Sequence, residues 1–305
     1  MPDYCSRYGE YKGFPANLLK LTACQSCRGS LVASGNDDCL FNGHVTCAAC
    51  GITYPIDSGI LRMLAADRLE PELKDEARLR DEEASQYDTL FSPRYFKEVL
   101  PSLDLASATK NDLILECGCG TGRVGSDLAP RAKAYIGVDF SFESLKIFSG
   151  KITDGKTGLV QADASRYHAP RDRFDKIVSF QFYEHLPTEG HRRRFIENAR
   201  AALRKGGWFI NTVYHHDLRQ RWAGAPRSGY HAGKIYYRYY VKPEMKKDFC
   251  RYFSSVTVTY LDCTLPLETR LQLSGPMGGF LSRLATRIPI VQQLSLLMAV
   301  CVQKT

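Results

Sequence analysis

A chain of 305 residues is long enough for one large domain and a smaller one beside it. Its composition, 44% hydrophobic and 24% charged, excludes a disordered or fibrous protein. The formal net charge of +8 allows an anionic partner without demanding one.

No apolar run reaches the ~20 residues that a bilayer core requires, so no membrane-spanning helix is expected. No basic-then-apolar leader opens residues 1–12, which predicts a cytoplasmic protein. The eleven cysteines then read as thiols or metal ligands rather than disulfides.

The first expected unit spans residues 1–65. Cys24-Gln-Ser-Cys27 and Cys47-Ala-Ala-Cys50 are two C-x-x-C pairs at zinc-ribbon spacing. Each pair can form a knuckle, and the four thiolates can converge on one tetrahedral ion. So small a segment has too little core to fold unaided, and a structural Zn2+ would supply the stability. Cys39 and His44, between the pairs, read as bystanders. Over residues 1–63 the cations Arg7, Lys12, Lys20, Arg28 and Arg62 are matched by Asp3, Glu10, Asp37, Asp38 and Asp57. A module that tracks phosphates should be basic, so packing or substrate positioning is the expected role. Leu-x-x-Cys-x-x-Cys, a loop, Cys-x-x-Cys-Gly and Tyr54-Pro-Ile-x-x-Gly-Ile lie within residues 18–64. This pattern resembles the small zinc-ribbon family that activates or stabilises methyltransferases of the translation machinery. A similar layout, ribbon then methyltransferase, occurs in bacterial ribosomal RNA guanine methyltransferases.

Residues 66–110 read as a helical linker and cofactor lid. The charge-rich stretch 67–86 predicts a helix with a solvated face. Tyr87 and Tyr95 are candidate lid residues, with core packing as the alternative.

From residue 111 apolar runs alternate with helical stretches, which predicts βαβ units and a parallel sheet. Leu113-Ile-Leu115 reads as a buried strand. It ends at Glu116, and Gly118, Gly120 and Gly122 follow at every second residue, before a helix at 123–128. Such a loop admits a ligand close to bare backbone. The dinucleotide fingerprint is G-x-G-x-x-G. Here the spacing is E-x-G-x-G-x-G, and an acid at the strand end repels a pyrophosphate but welcomes a cationic amine. The pattern resembles motif I of class I S-adenosylmethionine-dependent methyltransferases. A second strand at 134–139 ends in Asp139, placed to accept ribose hydroxyls. Gly137-Val-Asp-Phe140-Ser141 resembles motif II, with Ser141 suited to cap the next helix. The third strand, 158–162, precedes Asp163 and Ala164. The resemblance implies that Asp163 accepts the adenine amino group and that Ala164 offers its amide to the ring. The fourth strand, 174–180, runs into Gln181-Phe-Tyr-Glu-His-Leu-Pro187, which resembles the motif IV region of small-molecule methyltransferases. The resemblance thus implies an α/β, Rossmann-like seven-stranded methyltransferase sheet with helices on both faces. S-adenosyl-L-methionine would be held by Glu116, Gly118, Gly120, Gly122, Asp139, Phe140, Asp163, Ala164 and Gln181.

Two reaction classes are set aside by absence. The segment after the fourth strand lacks the acid or Asn, Pro-Pro and aromatic of adenine amino-methyltransferases. No Pro-Cys pair supplies the nucleophile of cytosine-C5 enzymes. A helix at 188–205 carries His191-Arg-Arg-Arg194, a solvated face or a phosphate site, and Gly206-Gly207 leads to a fifth strand at 208–213. Residues 214–243, with His215, His216 and Ile235-Tyr-Tyr-Arg-Tyr-Tyr240, are expected to shape the acceptor pocket. Aromatics beside cations suit a planar or anionic acceptor. The last strands, 256–260 and 296–302, would pair antiparallel across an apolar insertion at 262–295. That insertion is open to a substrate lid, a homodimer surface or a shallow peripheral membrane contact.

The implied reaction is in-line displacement of methyl from a sulfonium, largely by positioning. His185 is the first candidate base, followed by His215 and His216 and then Tyr183. The expected acceptor is an O or N atom of a small molecule, lipid or sugar. Ribosomal or transfer RNA is the alternative, on the strength of the ribbon and the basic stretch 191–251. A non-catalytic scaffold ranks last because the donor motifs are intact.

Overall fold

The computed structural model describes residues 11–64, 71–91, 94–231, 233–265 and 275–305. Six short strands open it, namely β1 (Phe14–Pro15), β2 (Leu31–Ala33), β3 (Cys39–Leu40), β4 (Gly43–Cys47), β5 (Thr53–Asp57) and β6 (Ile60–Arg62). Helix α1 (Pro71–Phe91), a π-helical turn (Tyr95–Val99) and α2 (Leu100–Ala106) follow. Next come β7 (Leu113–Cys117), α3 (Gly125–Leu128), β8 (Ala134–Asp139), α4 (Phe142–Ser149), β9 (Thr157–Gln161), β10 (Phe174–Phe180), α5 (Glu189–Ala202) and β11 (Leu203–Tyr214). Helix α6 (Leu218–Trp222), the hairpin β12 (Ser228–His231) and β13 (Ile235–Arg238), α7 (Lys242–Cys250), β14 (Val256–Cys263), α8 (Gly275–Ala285) and β15 (Ser295–Gln303) complete it.

Seven strands in the order β14-β15-β11-β10-β7-β8-β9 form the expected α/β methyltransferase sheet. Strands β7 to β11 are parallel, and β15 is antiparallel to both β11 and β14. Ile114, Ile136 and Val138 are fully buried, as continuous apolar runs covered on both faces should be. The sheet does not stop at β9. Strand β6 pairs with it in parallel, Leu61 opposite Val160, and β5, β4 and β2 extend the order to eleven strands. The N-terminal segment is therefore an edge of the main sheet. One apolar core runs from Phe14, Leu21 and Val45 to Phe209 and Phe249.

Three sequence expectations are corrected. Helix α5 stops at Ala202, and β11 absorbs Gly206 and Gly207, because Leu203 already pairs with Phe174 across a register shift. Cys39 is disulfide-bonded, so not every cysteine is a thiol or a ligand. Helix α1 is more than a wet face. Its Glu76 and Ala84 are buried, Asp81 accepts hydrogen bonds from Ser141 Oγ (2.6 Å) and Glu143 N (3.1 Å), and Asp88 accepts from Thr121 Oγ1 (2.7 Å). Those carboxylates dock the helix onto the α4 N-terminus and the glycine loop, where negative charge is favourable. The hairpin of β14 and β15 forms as expected across the long insertion, of which residues 266–274 lie outside the described residues. Among the described residues no helix is long and apolar enough to cross a membrane.

Candidate functional site

The glycine loop leaves β7 with Gly118, Gly120 and Gly122 all at positive φ. A Cβ on Gly118 would sit 2.7 Å from Phe182, whereas one on Gly120 would meet nothing within 4 Å. Gly120 is thus the residue whose bare backbone faces open space. Its amide donates to Asp139 Oδ2 (2.8 Å), and the Ser141 amide donates to Asp139 Oδ1 (2.9 Å). The carboxylate at the end of β8 is pinned across the loop with one lone pair per oxygen left over. Burial pushes the Asp139 carboxyl up, and the two amides pull it back.

Glu116 is buried beneath the loop and accepts a hydrogen bond from the Tyr135 hydroxyl. Burial raises its carboxyl to about 8, so a cation arriving above it would draw the proton off. Asp163 Oδ1 accepts from Ser165 N (2.9 Å) and Oγ (2.7 Å). Its Oδ2 is buried with no hydrogen bond, the Arg166 Nε lying 3.7 Å away. An orphaned acceptor at that place fits an exocyclic amino group.

One cavity is lined by Glu116, Gly118, Gly120, Asp139, Phe140, Asp163 and Gln181. Ala164 and Gly122 are buried and outside that lining, the Cα side of Gly122 being closed by Phe148. Gln181 holds a positive φ of 56°, its amide nitrogen donating to Thr212 O (3.1 Å) and its side-chain Nε2 to Glu98. Helix α1 covers the cavity with Leu73, Glu76, Arg80, Ala84 and Tyr87. These recur every three or four residues, a stripe that the sequence displays but whose charged members disguised it.

A second cavity adjoins the first and shares Arg80, Glu83, Tyr87 and His185 with it. Arg94, Tyr214, His231 and Tyr239 complete most of its wall. His185 Nδ1 lies 2.7 Å from the Tyr236 carbonyl oxygen. A carbonyl only accepts, so Nδ1 carries the proton and Nε2 keeps its lone pair. Burial, and then the Arg80 charge, hold this imidazole well below its ordinary 6.5.

The other candidate bases lie elsewhere. His215 Nδ1 is bound to Ser295 O (2.8 Å), and His216 Nε2 lies 3.3 Å from Ala225 O; neither ring borders these two cavities. The Tyr183 hydroxyl donates to Asp248 (3.1 Å) from an aromatic cluster with Phe195, Tyr240 and Phe249. Of the two lid tyrosines, Tyr87 borders both cavities, while the Tyr95 hydroxyl donates to Asp127 (2.8 Å). Sequence reasoning missed Arg80 and Glu184. The Glu184 carboxyl is fully buried, and burial raises it to about 8 against the pull of nearby backbone amides and of Arg80.

In the N-terminal segment the four predicted thiols converge. The Sγ atoms of Cys24, Cys27, Cys47 and Cys50 all lie within 4.8 Å of one another, with Cys24–Cys50 at 3.7 Å and Cys27–Cys47 at 3.4 Å. A zinc tetrathiolate has sulfur–sulfur edges of about 3.8 Å, so this donor set fits that ion. Between Cys24 and Cys27, Gln25 reaches the large domain. Its Nε2 donates to His168 O (3.1 Å), and its Oε1 accepts from His168 N (2.8 Å). The first knuckle thereby grips the loop that carries Asp163.

This sheet order, with a glycine loop and two acids at the carboxyl ends of its strands, defines the α/β methyltransferase fold. Comparison with known proteins agrees. Residues 114–207 match the family described as methyltransferase domain. A tRNA (carboxymethyluridine(34)-5-O)-methyltransferase from Arabidopsis thaliana is 32% identical over 123 residues, 40% of this chain and 29% of its own. An uncharacterised methyltransferase of Bacillus velezensis is 32% identical over 133 residues, 42% of this chain and 62% of that one. The chain thus spans less than two thirds of either curated relative. Phosphoethanolamine N-methyltransferase 2 from Haemonchus contortus, solved in complex with S-adenosyl-L-methionine, superimposes with a TM-score of 0.56 at 16% identity. That match covers 83% of this chain and 62% of the other, and it speaks for the fold.

Proposed function

We propose that this protein transfers a methyl group from S-adenosyl-L-methionine to an O or N atom of a small-molecule, lipid or sugar acceptor, and that its ribbon holds a structural zinc. The observation that carries the reading is His185, an uncharged imidazole with a free Nε2 on the border between the two cavities.

When bound, the donor supplies an electrophilic methyl on a sulfonium. Asp139 offers its remaining lone pairs to the ribose hydroxyls, and Asp163 Oδ2 takes the adenine amino group, while Ala164, outside the cavity lining, is left without a contact to the donor. Glu116, once ionised, faces the cationic amine. Helix α1 keeps water from the donor cavity. An acceptor between Tyr214, Tyr239 and Arg80 would present its nucleophile along the line toward the first cavity, and His185 Nε2 would take the departing proton.

A second reading, RNA methylation, draws on the Arabidopsis relative and on the aromatic hairpin, where Tyr230 is exposed and His231 stacks on Tyr237 at 4.2 Å. Two measurements separate the readings. Titration calorimetry with S-adenosyl-L-methionine should show micromolar binding; no binding sinks both. Radiolabelled methyl transfer into a small-molecule and lipid extract should survive ribonuclease. Label found only in RNA would sink the first reading.

A further inference from the structure

Helix α8 is built inside out. Its packed face consists of Gly278, Gly279, Ser282 and Ala285, all buried. A Cβ on Gly279 would fall 2.8 Å from Phe96, and Ser282 Oγ accepts from the Cys263 amide (2.9 Å). The large apolar residues point the other way. Met277, Phe280 and Leu284 recur at helical spacing, Ile288 follows in the turn after the helix, and all are exposed, Phe280 at 58%. Ile290, just beyond, is 80% exposed, as is Trp222 at the end of α6. The two segments adjoin, since Arg221 donates to Gln293 Oε1 (3.2 Å) and Arg219 to Leu294 O (2.6 Å). A surface helix that buries its small residues and shows its large ones presents a face meant to be covered.

Charge selects the occupant. Residues 218–231 and 275–294 contain Arg219, Arg221, Arg227, Arg283 and Arg287 and no Asp or Glu. Arg219 pairs with Asp217, Arg227 with Glu244 and Arg283 with Asp104. Arg221 and Arg287 make no ion pair among the described residues. A second copy of the chain would bring cations against cations. A peptide groove would need two facing walls, and the exposed apolar residues from Met277 to Ile290 stand on one helix and the turns that follow it. We propose that α8 and the tip of α6 form a peripheral docking surface for an anionic phospholipid bilayer. Phe280, Leu284, Ile288, Ile290 and Trp222 enter the interfacial layer, and Arg221 and Arg287 meet the headgroups. This inference does not depend on the proposed reaction.

The test uses the full chain and sedimentation with two kinds of vesicle, phosphatidylcholine alone and phosphatidylcholine mixed with phosphatidylglycerol. Sedimentation with the mixed vesicles, release by salt and a blue shift of Trp222 emission are expected. The triple variant Phe280→Ser, Leu284→Ser, Ile288→Ser and the double variant Arg221→Glu, Arg287→Glu should each lower partitioning by roughly tenfold or more. Circular dichroism and melting temperature should stay as in the parent, which separates lost docking from lost folding. No binding to the mixed vesicles overturns the proposal. So does equal binding to both vesicles that ignores the charge reversal. A dimer in light scattering that the serine variant abolishes, without vesicle binding, would give the face to a second copy instead.

Discussion

The two cavities that meet at His185 are built by opposite means. The donor side draws most of its polar groups from one stretch, residues 113–163, with α1 laid over it and Gln181 beside it, and its decisive contacts run through backbone amides such as those of Gly120 and Ser141. The acceptor side is assembled from side chains on α1, the turn after β10, the end of β11 and the β12–β13 hairpin. A constant cofactor can be met by a short, fixed loop. An acceptor that changes between proteins is met by surface segments that can be exchanged without disturbing the sheet.

The comparison breaks most sharply at Asp139. Replacing it with alanine removes two charge-assisted acceptors for the ribose and frees the glycine loop. Donor affinity should fall by about a hundredfold or more, some 3 kcal/mol, in a calorimetric titration. Retained affinity would mean that the donor does not lie along β8. On the acceptor side His185→Gln keeps the hydrogen bond to Tyr236 but cannot accept a proton. Turnover should drop about a hundredfold while donor affinity stays within about a factor of two. The parent enzyme's pH profile is a second check. With the donor saturating, so that Glu116 is already ionised, the depressed imidazole remains unprotonated as pH falls, and kcat/KM for the acceptor should hold past 6.5 and decline only below it. An acid limb at or above 6.5 would remove His185 as the base.

This division also governs what can be read from the chain alone. Strands β7, β8 and β10 announce themselves because burial on both faces demands unbroken apolar runs. Gly118, Gly120 and Gly122 do so because few other residues tolerate their φ, and Asp139 because it ends its strand twenty-odd residues on. Arg80 sits in a charged stretch and Glu184 in a turn, and the burial of each exists only after α1 and the turn following β10 have packed. His215 and His216 share the base's residue type and stand at the expected end of the sheet, yet backbone carbonyls of Ser295 and Ala225 claim their rings. No local pattern reveals that. The α5–β11 boundary was hidden for the same reason, since the partner strand and not helix propensity decides where Leu203 belongs.

Glu184 sharpens the contrast, because it is a fully buried acid beside His185 whose burial outweighs the pull of Arg80 and of nearby backbone amides. Burial pushes its carboxyl up to about 8 in the folded chain, from the ordinary 4.5 of an exposed glutamate. Between these limits the folded state holds the proton that the unfolded chain has lost, so stability falls as pH rises. The Glu184→Gln variant is spared that loss. Its stability advantage over the parent should widen by about 1.4 kcal/mol from pH 6 to pH 7, read by urea melts at each pH. A gap that does not change with pH would mean that a partner stabilises the carboxylate.

The smallest expected effect joins the ribbon to the donor side. Gln25 stands between two of the four clustered cysteines, but its own side chain closes a two-bond clasp on His168. Gln25→Ala opens the clasp and leaves all four cysteines in place. The loop from Asp163 to His168 then loses its tether, and Asp163 must be ordered when the donor binds. That ordering should weaken the donor about fivefold, near 1 kcal/mol. Zinc content, measured by mass spectrometry, should remain that of the parent. Arg28→Ala serves as the comparison, because its contact with His168 Nε2 is long (3.4 Å) and exposed, and donor affinity should not move. Zinc lost together with affinity would assign Gln25 to the knuckle rather than to the loop. Unchanged affinity would make the ribbon a sheet edge and nothing more.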